Sequence, residues 1–514
     1  MKPPFAPLPA ANRPMSVPRT VAGLMQAGRM AEAETLCRRH LTQLPKDGSV
    51  WFLLAGILTR RGDGDGAMEA LSTCLSLSPD NMEALQQRAF LNYKRNALDD
   101  ALADLDRVLK KQPRNVAALY HRGTVLDAKG RLAEAEVSFK KALKLDPKQV
   151  PIWISLSTTQ KRQAKEHPKK EDDAIASCRK ALALAPDDIP ANNNLGNMLA
   201  ARGDRTEAQQ LFEKVLARVP DMKQTRLNLA ELFFKSGDFQ TARDHYLKAD
   251  SLISRARALE CLVHMQDWET YDREAPDRAA KEQNNLRMAS ISCYVADRRG
   301  TEDPFPFCPD PMAHVAIFKN LGLDEPAEPF LEALSDQLLQ RDAVWEPLGS
   351  TTTKGYQTQV NLLRAAEGPA ARIEPILQAA VARYRAKFAG SKCGLIRDWP
   401  ENYALDAWFV NLRKGGHQRA HNHPYGWLSG VFYLKLPTEQ GPPEGSIEFD
   451  LLGSTYPVLG DTPTPTTRHD PMVGDLVLFP STLFHRTIPF SSEESRLSVA
   501  FDLVPISEAP HRPS

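Results

Sequence analysis

Gly474-Asp475-Leu476-Val477-Leu478-Phe479-Pro480, followed at once by Ser481-Thr482-Leu483-Phe484-His485, decides how the C-terminal part of this 514-residue chain folds. The first seven residues read as a buried β-strand; a short turn then delivers a histidine. Upstream, Gly415-Gly416-His417-Gln418-Arg419-Ala420-His421-Asn422-His423-Pro424 sets two histidines two residues apart. Downstream, Ser495-Arg496-Leu497-Ser498-Val499-Ala500-Phe501 is another strand pattern. Working outward, Ala404–Leu412, Trp427–Leu436, Gly445–Leu452, Asp475–Pro480 and Arg496–Val504 are rich in Val, Leu, Phe, Trp and Tyr. Gly and Pro clusters such as Gly441-Pro442-Pro443 separate them. Many short strands with such turns predict a sandwich or barrel. The Thr/Pro run 462–467 reads as a mobile loop near its mouth, placed to act as a lid.

Residues i and i+2 of a strand point to the same side. His421 and His423 can therefore reach one metal from one strand, and His485 can join them from a strand distant in sequence but adjacent in a barrel. Non-haem Fe(II) sites hold the metal by one face and leave the opposite positions open. Arg496 lies one strand further on, where a guanidinium can grip a carboxylate in a bidentate pair. Ser498 faces the same way. His417 and His469 have no such company and read as loop residues.

These elements in this order resemble the double-stranded β-helix of the Fe(II)/2-oxoglutarate oxygenases over residues 396–506, in particular a bacterial and phage family of such enzymes. The shared elements are Ala407-Trp408-Phe409-Val410-Asn411, His421-Asn422-His423-Pro424, Ser429-Gly430-Val431-Phe432-Tyr433-Leu434, Gly474 through His485, and Arg496-Leu497-Ser498; Gly355-Tyr356-Gln357-Thr358 fits a further upstream element. The resemblance implies a dioxygenase that uses Fe(II), 2-oxoglutarate as co-substrate and O₂ to hydroxylate an unactivated C–H bond. It implies His421, His423 and His485 as metal ligands and Arg496 with Ser498 at the far carboxylate of 2-oxoglutarate. Asn411, Ser429 and Tyr433 are further contacts to that co-substrate. In the wider superfamily a carboxylate stands where His423 stands here. A three-imidazole site, a carboxylate such as Asp450 reaching in, and a two-histidine site with water in the gap all remain open. The resemblance also assigns helical patterns at about 325–340 and 370–388 to buttressing one sheet.

The N-terminal half carries a different signal. Pro45, Pro79, Pro113, Pro147, Pro186 and Pro220 recur at 34 residues, with one interval of 39. A 34-residue period marks tetratricopeptide repeats. Ala33, Ala67, Ala101, Ala135, Ala174 and Ala208 each fall twelve residues before a Pro, small enough for two helices to approach. Gly28, Gly62, Gly130 and Gly203 fall where the two helices of a repeat must turn. A seventh repeat continues with Gly237 and Ala242. The long interval is an insertion around 163–173, charged and read as a solvated loop. Such repeats bury a core only by stacking, and the stack offers a groove for a peptide or protein. Asn194 and Asn228 occupy the same position of successive repeats. This pair resembles the asparagine ladder with which the repeats of O-GlcNAc transferase hold an extended peptide, since an amide side chain can pair with both a backbone N–H and a C=O.

The expected architecture is therefore multidomain: an all-α tetratricopeptide superhelix, then a jelly-roll oxygenase domain with buttressing helices. The boundaries read as a disordered Pro-rich arm at 1–19 and repeats at 20–255. A degenerate repeat with capping helices follows at 256–302, and a linker at 303–311. Helical support occupies 312–395, the β-helix core 396–506 and a tail 507–514. Lys plus Arg is 65 against 64 for Asp plus Glu, which gives no push toward nucleic acid or an acidic membrane. No apolar run is long enough for a membrane span, and the start lacks the apolar core of a signal peptide. The seven cysteines are scattered and read as reduced cytoplasmic thiols, neither a disulfide frame nor a zinc site. Oligomeric state is not legible. A groove fused to an oxygenase suits hydroxylation of a protein or peptide side chain. The alternatives are a small-molecule oxygenase with repeats for assembly, a scaffold whose β-domain does not turn over, and a three-histidine dioxygenase that does not use 2-oxoglutarate.

Overall fold

The computed structural model describes residues 17–506 apart from 165, 166, 321, 322, 324, 325, 348, 365, 439, 440 and 462. The arm through residue 16 and the tail 507–514 lie outside the described residues; Val17 to Arg19, counted with the arm, open the first helix instead. Two compact units divide between Thr225 and Arg226.

Helices run in pairs from Val17–Gln26 to Phe239–Ala249 and make the seven expected repeats. The reasons are those of the sequence pattern. All six alanines that precede a Pro by twelve residues are fully buried. Gly28, Gly62, Gly130 and Gly203 take φ of 74°, 82°, 75° and 100°, the left-handed conformation that ends a helix with little strain only at glycine or asparagine. The third repeat, which lacks this glycine, puts Asn96 there, at φ 61°. Gly123 and Gly196 have a second cause: a Cβ would come within 2.5 Å of the Phe139 ring and 2.6 Å of the Phe212 ring. The insertion is less of a loop than its charge suggests. It is helical again from Lys170, and Gln163 is buried with its amide on Glu136 at 3.0 Å.

In the second unit the helices Leu252–Met265, Trp268–Lys281 and Leu286–Arg299 share one core with the β-structure that follows. Leu259, Tyr271, Ile291 and Tyr294 belong to the same buried cluster as Phe432, Val499 and Phe501. The stretch 303–311, expected as a linker, is part of that core: Phe305, Phe307 and Cys308 are 2%, 6% and 3% exposed. Each buried Phe contributes about 1.5–3 kcal/mol, so this segment is anchored and does not serve as a tether.

Ten strands follow among the described residues: β1 Ala316–Lys319, β2 Ala343–Trp345, β3 Thr352–Thr358, β4 Tyr403–Gln418, β5 Leu428–Lys435, β6 Ile447–Asp450, β7 Thr466–His469, β8 Asp475–Pro480, β9 Phe484–Thr487 and β10 Arg496–Pro505. They form an antiparallel seven-stranded sheet in the order β1-β8-β5-β10-β4-β3-β2 and a three-stranded sheet β7-β6-β9. This is the jelly-roll expected. β5 and β8 are buried on both faces. One face of the large sheet, with Phe409, Phe432, Val499 and Phe501, packs on Leu334 of helix Glu328–Leu339 and Leu377 of helix Ile373–Lys387. The other face, with Val431, Tyr433, Val477 and Phe479, meets Ile447 and Phe449 of the small sheet.

Three expectations need correction. Thr466 and Thr467 of the supposed lid pair in β7 with Asp450 and Phe449. His417 lies within β4, and His469 lies in β7 with its Nε2 3.0 Å from the Asp475 carboxylate. Strands β1 and β2 are too short, and β3 and β9 too polar, to show in a reading by apolar runs. Among the described residues no helix is long and apolar enough to cross a membrane.

The contact between Gly196 and Phe212 yields a stability prediction. Gly196→Ala removes a helix-weakening glycine but drives its methyl into a fully buried ring. The urea midpoint of the repeat transition should fall, reflecting a loss of about 1–3 kcal/mol; an unchanged or higher midpoint would contradict the packing described.

Candidate metal centre

β4 ends at Gln418, and His421 then makes an isolated antiparallel bridge with His485 of β9. Each donates its backbone N–H to the other's carbonyl, at 3.1 and 2.9 Å. His423 is not on a strand, contrary to expectation. Its N–H bonds to Ser481 O at 2.9 Å and its carbonyl accepts from Gly426 N–H at 2.9 Å, so a tight loop holds it. The side chain between the two histidines turns away: Asn422 Nδ2 donates to Ser290 Oγ at 3.1 Å on helix Leu286–Arg299.

The three imidazoles face one another, with ring centroids 4.3 Å apart for His421 and His485, 5.0 Å for His421 and His423 and 5.1 Å for His423 and His485. One ligand nitrogen from each lies within 4.8 Å of the other two. Every ring has its Nδ1 committed to an acceptor, so Nδ1 carries the proton. His421 donates to Arg419 O at 2.6 Å, His485 to Leu483 O at 3.3 Å, and His423 to both Asp502 carboxylate oxygens at 2.8 Å. Each Nε2 is left with its lone pair, and His423 Nε2 is buried without a hydrogen-bond partner. Burial, reinforced by the neighbouring His423, pushes His421 down to about 3, and burial holds His485 well below its ordinary value, so both rings are neutral donors. Three imidazoles that turn their Nε2 atoms toward one another suit Fe(II), and this donor set fits it. Asp502 supplies from behind His423 the negative charge that a directly bound carboxylate would bring. Asp450 does not reach in. It pairs with Phe484 in the register that pairs Phe449 with His485, which turns it to the opposite face, and it accepts from the Leu452 amide at 2.8 Å.

Side chains directly opposite in an antiparallel ladder share a face. Ser498 is opposite Val410 and Tyr433, and Asp502 is opposite Ser429, so Arg496, Ser498 and Asp502 all look toward the space between the sheets. Arg496 is 2% exposed. Its Nε donates to Gly445 O at 3.2 Å and its guanidinium lies 4.8 Å from the centre of the Tyr433 ring. Among the described residues no carboxylate is within ion-pair distance of it. Tyr433 is fully buried, and its hydroxyl has no hydrogen-bond partner of normal geometry. A buried cation without a counter-ion is costly, and burial depresses its pKa. The site suits a carboxylate.

One of the expected contacts lies elsewhere. Asn411 is opposite Leu497, on the helix-covered face and away from Arg496. Ser429 donates to Asp502 at 2.7 Å and so stiffens the partner of His423. Asn194 and Asn228 are each half-buried on the first helix of a repeat. Asp502 was missed, although it continues the alternation of Arg496 and Ser498 along an otherwise apolar strand. Trp408, stacked on His423 at 5.6 Å, was quoted only as part of a motif. The helical wall carries no sequence signal: a cavity of about 410 Å³ beside His421 is lined by Arg257, Glu260 and Arg287 from helices and by Arg419, Tyr456 and Phe484 from the β-domain.

Comparison with known proteins bears on both halves. Residues 406–502 match the model of the family described as "Putative 2OG-Fe(II) oxygenase", and residues 24–89, 91–150 and 187–249 match models described as "Tetratricopeptide repeat". Among solved structures the chain is similar to YrrB, described as a TPR protein with an unusual peptide-binding site (24% identity, 35% of this chain and 91% of that one, TM-score 0.30). It is also similar to a tetratricopeptide repeat protein from Parabacteroides merdae (18%, 47% and 96%, TM-score 0.39) and to MamA from Desulfovibrio magneticus (20%, 33% and 92%, TM-score 0.31). None of the curated proteins matches. The chain thus joins tetratricopeptide repeats to a C-terminal domain similar to the 2OG-Fe(II) oxygenases.

The bond from Asp502 to His423 is testable. Asp502→Asn should weaken Fe(II) binding about 10- to 100-fold in anaerobic titration, whereas Asp450→Asn should leave it unchanged. The reverse order would remove His423 from the centre.

Proposed function

We propose that the C-terminal domain is an Fe(II)- and 2-oxoglutarate-dependent oxygenase that hydroxylates a side chain of a protein or peptide engaged by the repeats. The observation that carries this reading is Arg496: a buried guanidinium without a carboxylate partner among the described residues, on the same sheet face as the residue that orients His423. A dicarboxylate that binds the metal at one end and Arg496 at the other supplies the missing counter-charge.

His421, His423 and His485 would hold the iron by one face through Nε2. Bound iron with 2-oxoglutarate supplies the oxidative chemistry: O₂ gives one oxygen atom to succinate, with loss of CO₂, and the other to a substrate C–H bond. Arg496 and Ser498 orient the far carboxylate. Val431, Phe449 and Phe479 exclude water from the space between the sheets, which strengthens every charge interaction inside it. Asp502 and Ser429 keep the His423 ring from turning. The substrate enters by the cavity beside His421. Arg257 is paired there with Glu260 at 2.8 Å, while Arg287 and Arg419 have no ion pair among the described residues. This balance favours an acidic stretch of substrate. Asn194 and Asn228 are each a candidate to bond the backbone of a bound peptide.

Anaerobic titration with Fe(II) and 2-oxoglutarate, read by visible absorbance, tests the reading. The wild type should give the metal-to-ligand charge-transfer band of a chelated 2-oxo acid. His485→Ala should abolish it, and Arg496→Ala should raise the 2-oxoglutarate requirement at least about thirtyfold, the equivalent of about 2 kcal/mol. Iron binding without the band would replace this reading with a three-histidine centre that does not use 2-oxoglutarate; no iron binding would leave a scaffold.

A further inference from the structure

Cys308, His314 and Cys393 stand outside the oxygenase centre, and the sequence reading takes the cysteines as ordinary thiols. The fold brings the three side chains together, with ligand atoms within 4.8 Å of one another. Cys393 Sγ lies 3.6 Å from His314 Nε2. Zinc bonds of about 2.3 Å to sulfur and about 2.0–2.1 Å to nitrogen, at tetrahedral angles, set those two atoms about 3.5–3.6 Å apart. His314 Nδ1–H donates to Asp310 O at 2.8 Å, the arrangement that fixes a metal-binding imidazole with Nε2 as the donor. Its backbone is pinned too: Tyr384 Oη donates to His314 O at 2.7 Å. The Ser391 hydroxyl is 3.0 Å from His314 Nε2 and 3.2 Å from Cys393 Sγ, beside a possible fourth position. Cys308 is buried and Cys393 half-buried, so the group has a solvent side.

The surroundings give the cluster a task. Gly394 N–H donates to Pro306 O at 2.9 Å and Leu395 N–H to Phe307 O at 2.7 Å. The segment 305–314 thus already lies against 391–395 when the three side chains meet.

We propose that Cys308, His314 and Cys393 bind a zinc ion that staples these two segments together, with the Ser391 hydroxyl or a water as fourth ligand. Two thiolates and an imidazole select zinc over the harder divalent ions, whereas the three-imidazole centre offers no sulfur. The two centres therefore divide their metals by donor chemistry. Zinc takes both cysteines as thiolates. The inference does not depend on the oxygenase reading.

Cobalt(II) is the probe, because only thiolate ligands give a near-ultraviolet sulfur-to-cobalt charge-transfer band. The reduced full-length protein, freed of metal and titrated with cobalt(II), should show the band. So should His485→Ala, which lacks the other centre. Cys393→Ala should lose it. His314→Gln, which keeps both thiols, should lose its cobalt to a chelating dye that leaves the wild-type cobalt in place. Elemental analysis of the protein as purified should find zinc that persists in His485→Ala and is lost in Cys393→Ala. A thiolate band that survives in Cys393→Ala, or no band in the reduced wild type, overturns the proposal. Equal retention of cobalt by His314→Gln and wild type does so as well, and covers the case in which Cys393→Ala fails to fold.

Discussion

Two reciprocal backbone hydrogen bonds between His421 and His485 join the end of β4, in the large sheet, to β9, in the small one. Each bond contributes only about 1 kcal/mol to stability. Their importance is positional. A pair of residues directly opposite across an antiparallel bridge has its side chains on one face, so the same two bonds that close the sheets also set two imidazoles side by side. A slip of one residue in either strand would turn one ring out of the cluster. The loop that places His423 starts from this bridge, and Ser481, which receives the His423 amide, lies just before β9.

β10 then supplies the charges. It lies between β5 and β4, paired along nearly its whole length, so its side chains are held on both sides. From one face it presents a cation at Arg496 and an anion at Asp502. The anion is satisfied by His423 and Ser429, and the cation is not satisfied by any described acid. This asymmetry leaves one buried charge of the strand without a counter-charge among the described residues. It also leaves a carboxylate one hydrogen bond behind the three-histidine cluster, at His423, rather than within it.

Much of this was legible because it rests on periodicity. The repeats showed in the Pro and Ala spacing, since each buried alanine reports a helix contact that recurs at fixed register. The central strands β5, β8 and β10 showed as apolar runs because both of their faces are covered. The three histidines and Arg496 stood out by order and spacing. What escaped depends on contacts between segments far apart in sequence. Asn411 is one residue out of phase with the inner face, and only the register with Leu497 reveals it. Phe305 and Phe307 sit in a Pro-rich stretch that looks like a tether, yet their rings are in the core. Cys308 and Cys393 are 85 residues apart and share no motif.

The anchoring of Asn422 on Ser290, together with the bond from Tyr294 Oη to Pro457 O at 2.6 Å, bears on how such a protein can be taken apart. A fragment that began after residue 311 would expose the apolar surfaces on which Leu259, Ile291 and Tyr294 pack, and would lose the support under the loop that carries two of the three histidines. The smallest piece that keeps the core of the C-terminal domain whole therefore begins near Arg226 and takes the end of the repeat array with it. The last helices of the array belong by packing to the C-terminal domain, whatever their ancestry, and an exchange of repeats between relatives would have to stop short of them.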